Sequence, residues 1–590
     1  MFESEKQSIA ERIQTYLQAN GIPLPEQIQW QPIPFSGEWG ISLPFFPIAA
    51  QEASSGKKVI VPKRAQEIAE AVAEHLGTPA GFSHLEAVNG YLNLYFTTSG
   101  FSRRVVDEVL RQGENFGRGV DKNEQVMVEY SQPNTHKSFH VGHLRSAILG
   151  DSLARILDFA GYEVIRANYP GDMGLHVIKW LWNYQKRHSG EKPETDITQW
   201  MGNMYVEANR RLEEDPDLEK EVREVYSRWD QRDPEIVALW EETRQWSIDG
   251  FNQMYAELDI PFDIYYFNSQ MEAPGKVIVA ELIERGIALD ERPDGPVIVK
   301  LDELLGNKKE EYRVLVVLRS DGTALYSTED LALTVKKFAD YPRLKRSIYV
   351  VDVRQSLHFS QVWKTMEIAG YEEPKNCVHI PYEIVNLPGN VVMASREGTI
   401  VLLEDLIREA RQRALDVVEE KNPELPEKLK KEVANAVGLG ALRYPMLARD
   451  NAKTVTFDWE SALDFNGQAA PYIQYAHVRA NSILKRSNVQ TLKCREGLPA
   501  HELDPTEVQL IDLISRIPAE IQRAAQEYKT LQITNHAYDL AKAFNDFYRN
   551  CPVIQAEADV MAFRLCLVDA ARQSLANLLR LLGIQAPEVM

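Results

Sequence analysis

The sequence predicts an α/β protein centred on a doubly wound parallel sheet, with a smaller α+β unit before it and a helical region after it. Three observations support this. Strand-like and helix-like stretches alternate from 119 to 402, a different mixture of strand and helix occupies 1–118, and 403–590 reads as almost wholly helical. With 590 residues the chain has room for three or four such units, at about 150 residues apiece.

Within 1–118, Ile9, Ile13, Tyr16 and Leu17 share one helical stripe that stops at Asn20-Gly21. A second helix carries Ile68, Val72 and Leu76 up to Gly77, YLNLYF (91–96) alternates as a strand, and a third helix over 101–112 ends at Gly113. The turn-rich GENFGRG closes the unit. QVMVEYS then has strand character, and Leu144, Ile148, Ile156 and Leu157 recur at helical spacing until Gly161. YEVIRANYP leads into GLHVIKWLWNY, and RSIYVVDV into SQVWKTMEIAG. Strand–helix pairs of this kind make parallel sheets, because each parallel strand is reached by a crossover that is usually a helix. Residues 183–260 are charged, rich in tryptophan and helical, as an insertion in 119–402 would be. The final helix sets Leu565, Val568, Leu575, Leu578, Leu579 and Leu582 on one face before Gly583 and Pro587.

Composition narrows the function. A net charge of −20 argues against indiscriminate nucleic-acid binding, DNA included, yet 66 Lys and Arg suffice for one basic patch facing a specific RNA. No apolar run approaches the ~20 residues of a membrane helix, and no basic segment with an apolar run opens the chain. Cys377, Cys494, Cys551 and Cys566 form no CxxC pair, so neither a zinc site nor a disulfide framework is expected, and the compartment reads as reducing and cytoplasmic.

The chemistry concentrates in VEYSQPNTHKSFHVGHLRSAILGD (128–151). His140 and His143 lie three apart around Gly142, where strand gives way to helix. A helix N-terminus offers unpaired N–H groups and partial positive charge, which suits phosphate. Imidazoles beside it can donate to phosphate oxygens, and glycine admits a flat group close to the backbone. By spacing alone the pair also fits surface decoration or half a metal site, although no HExxH pattern supplies further ligands.

HVGH resembles the HIGH signature of class I aminoacyl-tRNA synthetases and related nucleotidyltransferases, and the longer block resembles its arginyl-tRNA synthetase form. NYPGDMGLHVIKWL (168–181), YSTEDLA (326–332), VRQSLHFSQVW (353–363), PYIQYAHVRANSIL (471–484) and APEVM (586–590) resemble further blocks of that family in its usual order. The resemblance implies a Rossmann-type HIGH catalytic domain over 119–402, an N-terminal domain over 1–118 that meets the tRNA D-loop, and an anticodon-binding bundle over 403–590. It implies an enzyme that joins L-arginine to tRNA(Arg) with ATP and Mg2+, monomeric and without structural zinc.

The resemblance also implies site residues. His140, His143 and Lys137 are the catalytic candidates, with Gly142, His358, Met393, Ser395 and Arg396 completing the ATP side. Glu129, Ser131, Asn134, Tyr326, Asp330 and Gln355 are candidates for arginine, since a guanidinium fork needs carboxylate and amide acceptors. STED also reads as a capping box, with Ser327 as cap and Asp330 three residues on. Tyr91, Asn93, Arg479, Tyr548 and Met590 are candidates for tRNA, with ordinary core packing as the rival for the two tyrosines. The chain departs from the family where a KMSKS loop would fall. In VVMASREGTIV (391–401) Val392 replaces the first lysine and Ala394-Ser395-Arg396 follows Met393. Lys137, three residues before the HIGH block, stands where arginyl-type enzymes with a degenerate loop carry a lysine; a plain glycine hairpin is the other reading of 391–401. Two rival functions remain: a HIGH-type nucleotidyltransferase that never meets tRNA, and an inactive paralogue serving as an RNA-binding module.

Overall fold

The computed structural model describes residues 3–25, 28–56, 58–387, 391–392, 402–487, 499 and 501–590. Contacts divide the chain into two compact units. One comprises Met1–Phe116, Arg479–Ile517 and Lys542–Ser574; the other comprises Gly117–Val478, Pro518–Ala541 and Leu575–Met590.

In the first unit a four-stranded antiparallel sheet runs in the order Gln31–Pro32, Gly40–Pro44, Tyr91–Phe96, Phe82–Val88. Along Tyr91–Phe96, Leu92, Leu94 and Phe96 are buried while Tyr91, Asn93 and Tyr95 are half-exposed, the period-two pattern of a sheet with one wet face. The helix Val61–Leu76 buries Ala65, Ile68, Ala69, Val72 and Leu76 at helical spacing and stops at Gly77, whose φ of 54° favours glycine. Trp39 stacks on Phe101 at 4.4 Å and donates its indole N–H to Asp512 at 3.0 Å, tying the N-terminal segment to the helix Pro505–Glu527.

The second unit holds the expected parallel sheet, five strands in the order Cys377–Tyr382, Leu344–Asp352, Gln125–Glu129, Glu163–Asn168, Ile264–Tyr265. Every residue of Gln125–Glu129 is buried, as both faces of a covered central strand require. The chain builds outward from this strand on one side first and then on the other, so strand order reverses between Gln125–Glu129 and Leu344–Asp352. In open α/β sheets that switch point is where ligands bind. The insertion is helical, with Ile197–Glu214, Glu219–Asp230 and Pro234–Glu257. Trp229, Trp240 and Trp246 from these helices pack with Trp180 and Trp182 of Leu175–Asn183 in one apolar cluster. A small antiparallel sheet of Leu289–Asp290, Val297–Lys300 and Val314–Leu318 has no counterpart in the sequence reading. Of the degenerate loop, Val391–Val392 pairs antiparallel with Asn386–Leu387; Met393, Ser395 and Arg396 lie outside the described residues. Cys377 and Cys551 are free thiols, whereas Cys566 is disulfide-bonded, a bridge that the scattered cysteine spacing did not suggest.

Asp151, fully buried in the helix Val141–Phe159, accepts from Arg443 and from Arg155, both at 2.9 Å. Arg443 also donates to the carbonyls of Leu258 and Leu582. A Cβ on Gly583 would stand 2.0 Å from the Arg443 guanidinium, so only glycine fits there. Asp151→Ala leaves that guanidinium buried beside an empty place, and removing one partner of such a pair costs about 3–5 kcal/mol. The expected outcome is a lower urea midpoint for the variant; an unchanged midpoint would make the pair dispensable.

Candidate active site

The helix Val141–Phe159 starts just past the carboxyl end of the central strand, and its first turn is capped by the two histidines. His140 is the N-cap, and its Nδ1 accepts from the Gly142 N–H at 3.1 Å. His143 returns the favour, its Nδ1 accepting from the His140 N–H at 3.3 Å. The rings lie 4.0 Å apart. With Nδ1 of each ring accepting, the proton of each neutral ring sits on Nε2, the nitrogen left to donate. Gly142 has a reason that the sequence reading lacked: a Cβ there would stand 2.9 Å from His140 Cε1. The space that glycine leaves is filled by the cap's own imidazole.

Both rings stay neutral. Burial, and then the charge of Lys137, bring His140 down to about 4; burial, then His140 and Lys137, hold His143 well below its ordinary range. Burial and Lys137 likewise take His176 down to about 3. The Lys137 charge thus acts on all three rings, and its ammonium lies 5.1 Å over the Tyr205 ring. His136, one residue earlier, is structural, with ring nitrogens bonded to Thr135 at 3.0 Å and Thr243 at 2.8 Å. Ser131, Gln132 and His136 have positive φ values of 77°, 47° and 59°, conformations that cost about 1–3 kcal/mol each and concentrate at functional sites. Asn168 and the hydroxyls of Ser146 and Ser247 hold them by accepting from their backbone N–H groups.

At the sheet's switch point, lined in part by Gln132 and Asn134 of the segment 131–136, lies a cavity of about 490 Å³. Five of the six arginine candidates line it: Glu129, Asn134, Tyr326, Asp330 and Gln355. Ser131 does not; its hydroxyl is bonded to that of Tyr255 at 2.7 Å. His358, assigned by resemblance to the ATP side, lines this cavity too, its Nε2 2.6 Å from Asp330 Oδ2. The capping reading of STED is overturned. The helix Tyr326–Asp340 is preceded by Leu325 as N-cap, and Ser327 spends its hydroxyl on the Val316 carbonyl at 2.5 Å, so Asp330 lies a turn inside the helix and faces the cavity.

Sequence reasoning missed several residues that line the cavity, and also Lys337, which pairs with its Glu129 without lining it. Glu129 is buried against the ammonium of Lys337, which is fully buried, and its Oε1 accepts from Gln132 at 2.9 Å. Lys337 follows Asp330 by two helical turns, a spacing that places both on one face. Tyr169, Asn268 and Arg354 also line the cavity, and nothing in their local spacing marks them. A second cavity, of about 540 Å³, shares Asn268 and Tyr326 and adds His176, Tyr226, Trp229, Arg232, Lys276 and Arg319. In it Glu329 is pushed up to about 8, by burial first.

The tRNA candidates fall in separate places. Tyr91 and Asn93 share the exposed face of their strand; Tyr91 packs edge-on to Phe46, and Asn93 accepts from Ser42 at 2.7 Å. Arg479 lies 5.0 Å over the ring of Tyr548, which is exposed. Met590 packs on the cluster of Ala414, Val418 and Val433, and its carbonyl accepts from Asn422 at 2.8 Å.

A family model described as the catalytic domain of class I (R) tRNA synthetases matches residues 105–459. The chain belongs to the class I arginyl-tRNA synthetase family. A second model, the DALR anticodon binding domain, matches 473–590. An arginine–tRNA ligase of Bdellovibrio bacteriovorus is 37% identical over 516 residues, covering 85% of this chain and 86% of that protein. One from Clostridium perfringens is 33% identical and covers 99% of this chain and 100% of its own length. The solved arginyl-tRNA synthetase of Thermus thermophilus superposes with a TM-score of 0.76 at 28% identity, over 99% of this chain and 100% of that one.

The depressed imidazoles make a testable statement. Unfolding returns His136, His140, His143 and His176 to an ordinary value near 6.5, so between that pH and about 4 the unfolded chain binds more protons. Stability should therefore fall as pH drops through this window. In NMR titrations the His140 ring should stay neutral at neutral pH, and Lys137→Ala should raise its pKa; a ring that titrates near 6.5 in the parent would contradict the assignment.

Proposed function

We propose that this chain is an arginine–tRNA ligase, a monomer of the cytoplasm that condenses arginine with ATP and passes the aminoacyl group to the terminal ribose of tRNA(Arg). The observation that carries this reading is the convergence of Glu129, Asn134, Tyr326, Asp330 and Gln355, distant in sequence, on one cavity at the sheet's switch point. Planar carboxylate and amide acceptors suit a guanidinium, and Tyr326 supplies a ring wall.

In the first step the arginine carboxylate attacks the α-phosphorus of ATP and pyrophosphate departs. The Nε2–H groups of His140 and His143 donate to phosphate oxygens as charge builds, and the helix N-terminus adds its partial positive charge. Neutral imidazoles, fixed in tautomer by their caps, stabilise that charge without reorganising. Lys137 supplies, as a point charge, the ammonium that the loop around Val392 lacks in having neither signature lysine. In the second step a hydroxyl of the terminal ribose attacks the adenylate carbonyl and AMP leaves. The aromatic and cationic lining of the second cavity, with Tyr226, Trp229, Arg232 and Lys276, suits a stacked base and its phosphates. Among the described residues no three His, Cys, Asp or Glu side chains group as a metal cage. Magnesium would enter with the nucleotide and would help to neutralise the departing pyrophosphate.

Outside the catalytic centre, the face bearing Tyr91 and Asn93 and the Arg479–Tyr548 pair are the surfaces assigned to tRNA. Stacking on an exposed tyrosine is worth about 1–3 kcal/mol per base. No helix among the described residues is long and apolar enough to cross a membrane. The match of 473–590 to an anticodon-binding domain counts against a nucleotidyltransferase that never meets tRNA. The capped histidines and the assembled cavity count against an inactive paralogue.

ATP–pyrophosphate exchange, run across all amino acids with and without tRNA, should proceed with arginine and not with lysine or citrulline. Exchange with another amino acid and none with arginine would end the proposal. Lys137→Ala should slow activation more than about ten-fold, the effect of losing about 1.4 kcal/mol of transition-state stabilisation, while leaving tRNA affinity nearly unchanged. Asp330→Asn should raise the KM for arginine by about ten-fold or more through loss of a charge-assisted partner; an unaltered KM would remove Asp330 from the arginine site.

A further inference from the structure

Both carboxylates of the arginine cavity are already paired with cations of the chain, and the two cations differ in kind. Glu129 faces the Lys337 ammonium, which has no exposure to water and lies 3.6 Å over the Tyr349 ring. Neutralising or moving that ammonium would leave Glu129 buried without its partner, so the pair is permanent. Asp330 instead holds the imidazole of His358, and both side chains keep contact with solvent, at 17% and 24% exposure. An imidazolium can release its proton in place, and in the neutral ring Nε2–H can still donate to the carboxylate.

We infer, on the reading of the cavity given above, that His358 is a built-in competitor for the guanidinium, and that arginine binding at Asp330 expels the imidazolium proton to solvent. In the empty cavity Asp330 is bonded to protonated His358. In the complex Asp330 bonds the guanidinium, His358 is neutral, and one proton has passed to the buffer. The driving force is the repulsion of two cations sharing one carboxylate in a half-buried cavity.

The resting state of the ring agrees with this. Burial works against the imidazolium, but the hydrogen bond and charge of Asp330 outweigh it and raise the ring above its ordinary range. The neighbouring groups are separable. Tyr169 and Tyr326 titrate above their ordinary value, and Arg354 is held charged by Asp352. Glu129 and Lys337 form a buried ion pair. Glu329, bonded to Asn268 of the cavity wall, is pushed up to about 8 and is the other group able to release a proton on arginine binding, on the alkaline side. The sign follows from linkage: below the ring's pKa the free enzyme holds one more proton than the complex, so arginine affinity falls as pH falls, by about ten-fold per pH unit, and is flat above it.

Calorimetric titration of L-arginine into the full chain, in buffers of different ionisation enthalpy, reads the proton directly in the unmodified protein. Release of about one proton per arginine is expected near pH 6, fading above the imidazole's pKa. His358→Gln should abolish the release and flatten the pH dependence whatever its absolute affinity, whereas Glu329→Gln should leave both in place. No release from the parent, equal release from His358→Gln, or loss of release in Glu329→Gln overturns the inference. Asp330→Asn separates it from the reading beneath it. Undiminished arginine affinity in that variant would show that the cavity assignment has failed. Lost affinity in that variant, alongside a parent that releases no proton, would show that His358 alone was misassigned.

Discussion

A carboxylate buried with two guanidiniums, Asp151 with Arg155 and Arg443, anchors the helix whose first turn carries the imidazoles. A helix advances about 1.5 Å per residue and bends little, so fixing residue 151 fixes residue 140 some ~16 Å away. Arg443 also grips the carbonyls of Leu258 and Leu582, so one side chain sets the signature helix against the end of the insertion and the C-terminal segment. Arg145, nearer the chemistry, donates to the carbonyls of Glu383 and Lys453 and so holds the strand leading toward the degenerate loop. The placement of the histidines is thus decided by buried charge well away from them.

At the site itself the same economy of charge recurs. His140 and His143 cap each other's backbone, which fixes Nδ1 as acceptor and Nε2 as donor. Burial keeps both rings neutral, and the charge of Lys137 adds to it. In the adjoining cavity Glu129 is matched by Lys337 and Asp330 by His358. A pocket built this way is preorganised: its donors and acceptors are in place before the substrate arrives.

Much of this could be read from the sequence, and the exceptions have physical reasons. The central strand was legible because a strand covered on both faces is a continuous apolar run, as in Val126, Met127 and Val128. One strand of the N-terminal sheet, Tyr91–Phe96, was legible because Leu92, Leu94 and Phe96 alternate with half-exposed neighbours. Two-residue strands such as Leu289–Asp290 carry no periodicity and were not. Local spacing misplaced Ser327, because a hydroxyl near a helix start has two uses and here a strand carbonyl takes it. Gly142 has a neighbour that local spacing did not show, the His140 ring of its own turn. Lys337 was missed because a lysine in a charged helix reads as solvated, and only the fold shows it facing Glu129. The bond between His358 and Asp330 was not legible either, because the two lie 28 residues apart.

The central claim is that one cavity at the sheet's switch point seats a guanidino side chain at Asp330 while the adjoining helix N-terminus holds the phosphate. A crystal structure of the chain with a non-hydrolysable arginyl-adenylate analogue tests it most directly. The account predicts the guanidinium within hydrogen-bonding distance of Asp330 and Tyr326, and the phosphate mimic facing Nε2 of His140 and His143. A guanidinium seated away from Asp330, or a phosphate mimic remote from both imidazoles, would contradict it.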